Sequence, residues 1–194
     1  MEEHKGIRTF YASSRAGWRK WLSENWDKEK SVFLIFYKKD SLNTSLTYDE
    51  AVDEALCYGW IDSKINKRDD ESWYQYFAKR NPKSNWSRIN KNKIEKLTMA
   101  GLMAPPGLEM VKVARQTGTW TALDDVENLV IPDEMKILMD INKVAFSHWE
   151  KFPKSVKKGI LEWIYTAKKV ETKMDRIRKT VSMASENKRA NFDN

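Results

Sequence analysis

The sequence predicts an α+β fold: a small antiparallel β-sheet with helices in the N-terminal half, and an all-helical C-terminal half. Three observations carry this. Residues 31–39, "SVFLIFYKK", are β-branched and aromatic, as a buried strand needs. Residues 60–66, "WIDSKIN", and 72–80, "SWYQYFAKR", have strand composition and flank the turn-forming Lys67–Glu71, which predicts a hairpin. From Trp86 onward, apolar residues recur at helical spacing, with glycine stops at Gly101 and Gly118.

Each element has a local reason. In 13–26, Ser14 is placed to cap a helix whose Trp18, Trp21 and Leu22 share one face. After the strand at 31–39, "DSLNTS" reads as a loop. Thr47 and Glu50 have the capping-box spacing: the hydroxyl accepts a first-turn N–H and the carboxylate reaches back. Ala51, Ala55 and Leu56 then line an inner face, and Gly59 ends the helix. Across 73–78 the period is two. Trp73, Gln75 and Phe77 fall on one face, and Tyr74, Tyr76 and Ala78 on the other. The later helices carry Ile89, Ile94 and Leu97, and begin again at "PPGLEM". Beyond these, Asn142 caps the next helix, Val156, Ile160, Trp163, Ile164 and Ala167 form a stripe, and Met174, Ile177, Val181 and Ala184 another. The organisation expected is a mixed domain at 1–125, a helical domain at 126–186 and a flexible polar tail at 187–194.

Charge narrows the function. The chain of 194 residues carries a net charge of +7. Residues 62–96 hold ten Lys/Arg against five Asp/Glu, and residues 150–194 hold twelve against six. Such fields favour an anionic partner. Lys168, Lys169, Lys173, Arg176, Arg178 and Lys179 flank the last apolar stripe, which has no aromatic residue, so core packing fits it better than a membrane surface. The N-terminus shows no apolar signal core, and "VFLIFY" is too short to span a bilayer, so a cytoplasmic place without a transmembrane segment is expected.

Several chemistries lack their residues. With His4 and His148 the only histidines, no metal-ligand spacing exists, and Asp62, Asp69 and Asp70 read as strand and turn residues. No phosphate-cradling glycine motif is present, so no cofactor is indicated. Cys57, the sole cysteine, sits near a helix C-terminus, where the dipole disfavours a thiolate. No catalytic residue is assigned; were the chain an enzyme, Asp62 is the acid–base candidate.

The aromatic-basic stretch 58–86 is the candidate binding region. Its ligand-binding residues are Tyr58, Trp60, Asp62, Lys67, Arg68, Tyr74, Tyr76, Arg80 and Trp86. Three readings fit. The aromatics wall a cleft for a small anionic or polar ligand. They stack the bases of single-stranded nucleic acid, against which Asp69, Asp70 and Glu71 would repel phosphate. Or they are core. A protein partner is a further possibility on the same surface.

The motifs "TYDEAVDEALCYGWIDSKINKRDD" (47–70), "YQYFAKR" (74–80), "SNWSRIN" (84–90) and "ILEWIYTAKKVETKMDRIRKTVSM" (160–183) resemble the YdeI/OmpD-associated, or bacteriocin-protection, family. The family pattern has a proline before the Glu-Thr of the last helix, where this chain has Val170. The resemblance implies a link to an outer-membrane porin, to envelope stress and to resistance against cationic peptides, with a periplasmic place. It brings no catalytic residues. The absent export signal and the positive charge disagree with that place and with direct capture of cationic peptides. The resulting expectation is a non-enzymatic binding protein.

Overall fold

The computed structural model describes residues 2–193. The fold is α+β, and the chain divides after Thr121 into two compact units.

The first unit holds β1 (Glu3–His4), β2 (Ile7–Tyr11), α1 (Arg15–Asn25), β3 (Ser31–Tyr37), α2 (Tyr48–Cys57), β4 (Trp60–Lys67), β5 (Ser72–Lys79), α3 (Arg88–Met99) and α4 (Pro105–Thr117). Among the described residues its five strands run in the order β1-β2-β3-β5-β4. The hairpin of β4 and β5 forms as expected, and β3 pairs antiparallel with β5. The sheet is nevertheless mixed, because β2 pairs parallel with β3. The two N-terminal strands carry too few residues for periodicity to register. They turn on Lys5 (φ 53°) and Gly6 (φ 70°), two left-handed positions in succession, as a tight two-residue hairpin requires.

Local signals at the helices are realised. Ser14 accepts from the Gly17 N–H at the start of α1. Thr47 and Glu50 form the reciprocal capping box of α2. Gly59 has φ +72°, and a Cβ there would lie 3.1 Å from the Pro106 carbonyl oxygen. At Gly107 the backbones of α4 and the end of α2 meet so closely that a Cβ would sit 2.2 Å from the Cys57 carbonyl oxygen.

The sheet buries both faces. On the helix side, Val32, Leu34, Phe36, Trp60 and Phe77 pack with Trp18, Trp21, Leu22, Ala51, Ala55 and Leu56. On the outer side, Phe33, Ile35 and Tyr74 form a second small core with Ile7, Tyr37 and Tyr76 at its margin. A strand buried on both faces reads as a continuous apolar run, which is what "VFLIF" is.

The second unit holds α5 (Asp124–Glu127), α6 (Asp133–Ile141), α7 (Lys143–Lys151), α8 (Lys154–Tyr165) and α9 (Val170–Ser185). Met135, Met139, Trp149, Ile160, Leu161, Ile164, Ile177 and Val181 fill its core. Asn142 caps α7 through the Ala145 N–H at 3.0 Å. Trp163, placed on the core stripe by spacing, is only half-buried and has the Arg176 guanidinium over its ring at 5.0 Å. Of the segment expected to be a flexible tail at 187–194, Asn194 lies outside the described residues; in the rest, Ala190 is buried, Phe192 lies against Gly159, and Arg189 donates to Asp193 through its backbone N–H, Nε and Nη2. No helix among the described residues is long and apolar enough to cross a membrane.

Candidate functional site

The nine candidate residues do not converge on one cleft. Trp60 and Trp86 are core residues. Arg80 is buried and lies over the Trp86 ring at 3.8 Å; burial pushes its pKa down to about 10. The alternation explains the separation, since Trp60, Phe77 and Trp86 belong to the helix-side core while Tyr74 and Tyr76 point the other way. Asp62 is on the helix side too. It accepts from the Tyr48 hydroxyl at 2.7 Å and from Gln75 Nε2 at 3.2 Å. Burial, then the Asp62 carboxylate, pushes the Tyr48 pKa up to about 12. Lys67 is exposed and pairs with Asp70.

Tyr74 does not face a cleft. It is buried, stacked on the His4 ring at 4.3 Å, and its hydroxyl donates to Glu2 at 2.5 Å. Arg68 lies over the same ring at 6.0 Å and grips Glu2 through Nε and Nη2, both at 3.0 Å.

Tyr76 does face a cavity, of about 300 Å³, on the outer side of the sheet. Its floor is aromatic: the Phe33 and Tyr76 rings meet edge-on at 5.1 Å. Two structural devices supply its polar wall. Between Asp62 and Ile65 the β4–β5 register slips, so β4 advances three residues while β5 advances two. Such a bulge re-aims side chains, and here Ser63 and Lys64 line the cavity. From the other side, the N-terminal turn brings Lys5, whose Nζ donates to Asn66 Oδ1 at 2.8 Å. None of the described lining residues is acidic.

A second cleft, about 500 Å³, lies between the start of β4 and α4. Trp26, Tyr58, Trp60, Pro105, Pro106 and Met110 make it almost wholly apolar. Of the nine candidates, Tyr58 and Trp60 thus meet at this cleft and Tyr76 alone at the cationic one. The residues sequence reading missed at the cationic cavity are Lys5, Ile7, Phe33, Ser63, Lys64 and Asn66. The one signal among them was "KGI", a glycine turn that carries Lys5 just before the β-prone "IRTFY"; the bulge that brings in Ser63 and Lys64 leaves none.

Other reactive groups are structural. Cys57 is fully buried, and burial followed by the nearby Glu54 charge pushes its thiol up to about 11. Glu54 is itself buried and accepts from Arg15 Nε and Arg19 Nη1, both at 2.6 Å. No cluster of three or more His, Cys, Asp or Glu able to hold a metal occurs among the described residues.

Two family models match the chain. One, described as Domain of unknown function (DUF8412), matches residues 10–110. The other, described as Bacteriocin-protection, YdeI or OmpD-Associated, matches residues 128–187. The motif at 160–183 lies inside the second match, whereas those at 47–90 fall in the first. No curated protein and no solved structure matches the chain. With the first match spanning just over half of its length, the chain belongs to the family described as Domain of unknown function (DUF8412), and it carries a YdeI/OmpD-associated segment at 128–187.

Proposed function

We propose that the protein is a non-enzymatic binding protein whose outer-face cavity takes a small anion bearing a planar ring. One observation carries this reading: Lys5 and Lys64 share a cavity that has an aromatic floor and no acidic lining residue among those described. The lysines supply charge-assisted hydrogen bonds, and Phe33 and Tyr76 supply a surface for a ring. Asp62, the acid–base candidate, is engaged by Tyr48 and Gln75 on the other side of the sheet and takes no part.

The description of the second family speaks of bacteriocin protection. A net charge of +7 opposes direct capture of cationic peptides, so a protective role, with any link to envelope stress, would act through the bound anion. The nucleic-acid reading is weaker. His4 covers the Tyr74 ring, which leaves Tyr76 without a neighbouring open ring on β5 for successive bases.

The test is an NMR titration with phenyl phosphate, using inorganic phosphate and phenol as the ringless and uncharged controls. Phenyl phosphate is expected to shift residues around Lys5, Lys64 and Tyr76 saturably and more tightly than either control. Lys64→Gln should weaken it about tenfold, the equivalent of one charged hydrogen bond at ~1.4 kcal/mol. Shifts confined to the apolar cleft at Tyr58, or no saturable shift, would overturn the reading. Tight, salt-sensitive binding of single-stranded DNA that Tyr76→Ala abolishes would replace it with the nucleic-acid reading.

A further inference from the structure

The cationic cavity is assembled from two places far apart in sequence, and the join between them is a short N-terminal strap. Residues 2–4 lie on the outer core and Lys5 follows at the tip of the turn. The strap is tied at three points. The Glu2 carboxylate accepts from Arg68 through both oxygens and from the Tyr74 hydroxyl. The Glu2 carbonyl accepts from the Thr9 N–H at 3.0 Å and the Thr9 hydroxyl at 2.9 Å. The His4 ring stacks on Tyr74 and meets Phe33 edge-on at 4.8 Å.

Against these ties stand two costs. A two-residue strand in a tight hairpin has little stability of its own. Docking it also brings the Lys5 ammonium to a cavity that already holds Lys64, and like charges repel. An anion between the lysines removes the repulsion.

From this we infer that residues 2–6 are a clasp for the anion site: Glu2, docked on Arg68 and Tyr74, positions Lys5 against Lys64, and the bound anion locks the strap in return. The inference rests on the cavity being the ligand site. Glu2 and Arg68 are positioning residues, because they line no part of the cavity and act through Lys5. Linkage makes the effect mutual: whatever strap docking adds to ligand affinity, the ligand adds to strap docking.

The experiment is amide hydrogen exchange of the full chain, with and without phenyl phosphate, on wild type, Glu2→Ala and Lys64→Gln. In wild type, saturating phenyl phosphate should slow exchange at residues 3–9 about tenfold. Glu2→Ala should speed exchange there about tenfold in the free protein and weaken phenyl phosphate by a similar factor. Exchange in β5 should stay unchanged, which separates the effect from general destabilisation. Lys64→Gln should weaken binding without freeing the strap. If Glu2→Ala binds phenyl phosphate as tightly as wild type, or the ligand leaves residues 3–9 untouched, the clasp is wrong and the site stands without it. If wild type binds no phenyl phosphate at all, the clasp falls together with the reading on which it rests.

Discussion

Tyr74 and Phe77 stand three residues apart on β5 and are buried on opposite sides of the sheet. Phe77 packs on Trp18 at 5.4 Å, and Tyr74 packs on Phe33 at 5.8 Å. Both sides are therefore core at the centre of the strand. Phe77→Ala should cost about 3–5 kcal/mol and Tyr74→Ala about 3 kcal/mol, the range for truncating a buried aromatic. Half-buried Tyr76→Ala should cost about 1 kcal/mol. Denaturant unfolding monitored in the first unit gives all three, and a Tyr74→Ala variant as stable as wild type would contradict an outer core.

Cys57 is fully buried in the helix-side core, with the Arg19 guanidinium beside its thiol. Burial and a pKa of about 11 both withhold the reactive thiolate at neutral pH. Native protein should label slowly with a thiol reagent, and urea-unfolded protein rapidly. Stoichiometric labelling of the folded chain within minutes, against the unfolded control, is the contrary result.

Glu54 joins α1 to α2 through Arg15 and Arg19, and Arg19 Nη2 also donates to the Leu102 carbonyl at 2.7 Å. The Glu54 side chain is buried while each arginine side chain keeps about a third of its surface exposed. Removing both arginines strands a buried charge, so the Arg15→Ala/Arg19→Ala pair should lose about 3–5 kcal/mol. Glu54→Gln keeps the shape and leaves two cations that water still reaches, so its loss should be smaller. Thermal unfolding of the two variants settles the order, and an equal loss would mean packing rather than charge governs the site.

Arg68, then the Tyr74 hydroxyl, holds the Glu2 carboxyl below its ordinary value of 4.5, with burial and, less, Asp69 opposing. A lowered folded-state pKa means that Glu2 contributes to docking above the ordinary value and loses that contribution as pH falls through the folded one. The strap should therefore hold at neutral pH and loosen on acidification below about pH 4.5. The ring signals of His4 and Tyr74, followed by NMR from pH 6 to pH 3, report it. In Glu2→Ala the acid-dependent change should vanish; its persistence would assign the effect to another carboxylate.

Features that short-range chemistry specifies were legible in the chain directly. Ser14, Thr47 with Glu50, and Asn142 mark helix starts because a cap needs only a side chain and an N–H two or three residues on. The split of Phe77 from Tyr74 follows from the pleat alone, and the apolar run 32–36 announces a strand covered on both sides. Features that depend on which distant segments meet were not legible there. Arg80 is four residues beyond Tyr76, yet it ends over Trp86 inside the core, because the chain leaves the sheet at Lys79 and the alternation stops constraining it. Lys5 and Lys64 share a cavity only because a five-residue strand pairs parallel with β3 and a bulge turns Lys64 outward. Neither event leaves a period in the sequence: strand partners are chosen by burial and hydrogen bonding across the whole unit, and a bulge is a mismatch between two strands that neither encodes by itself.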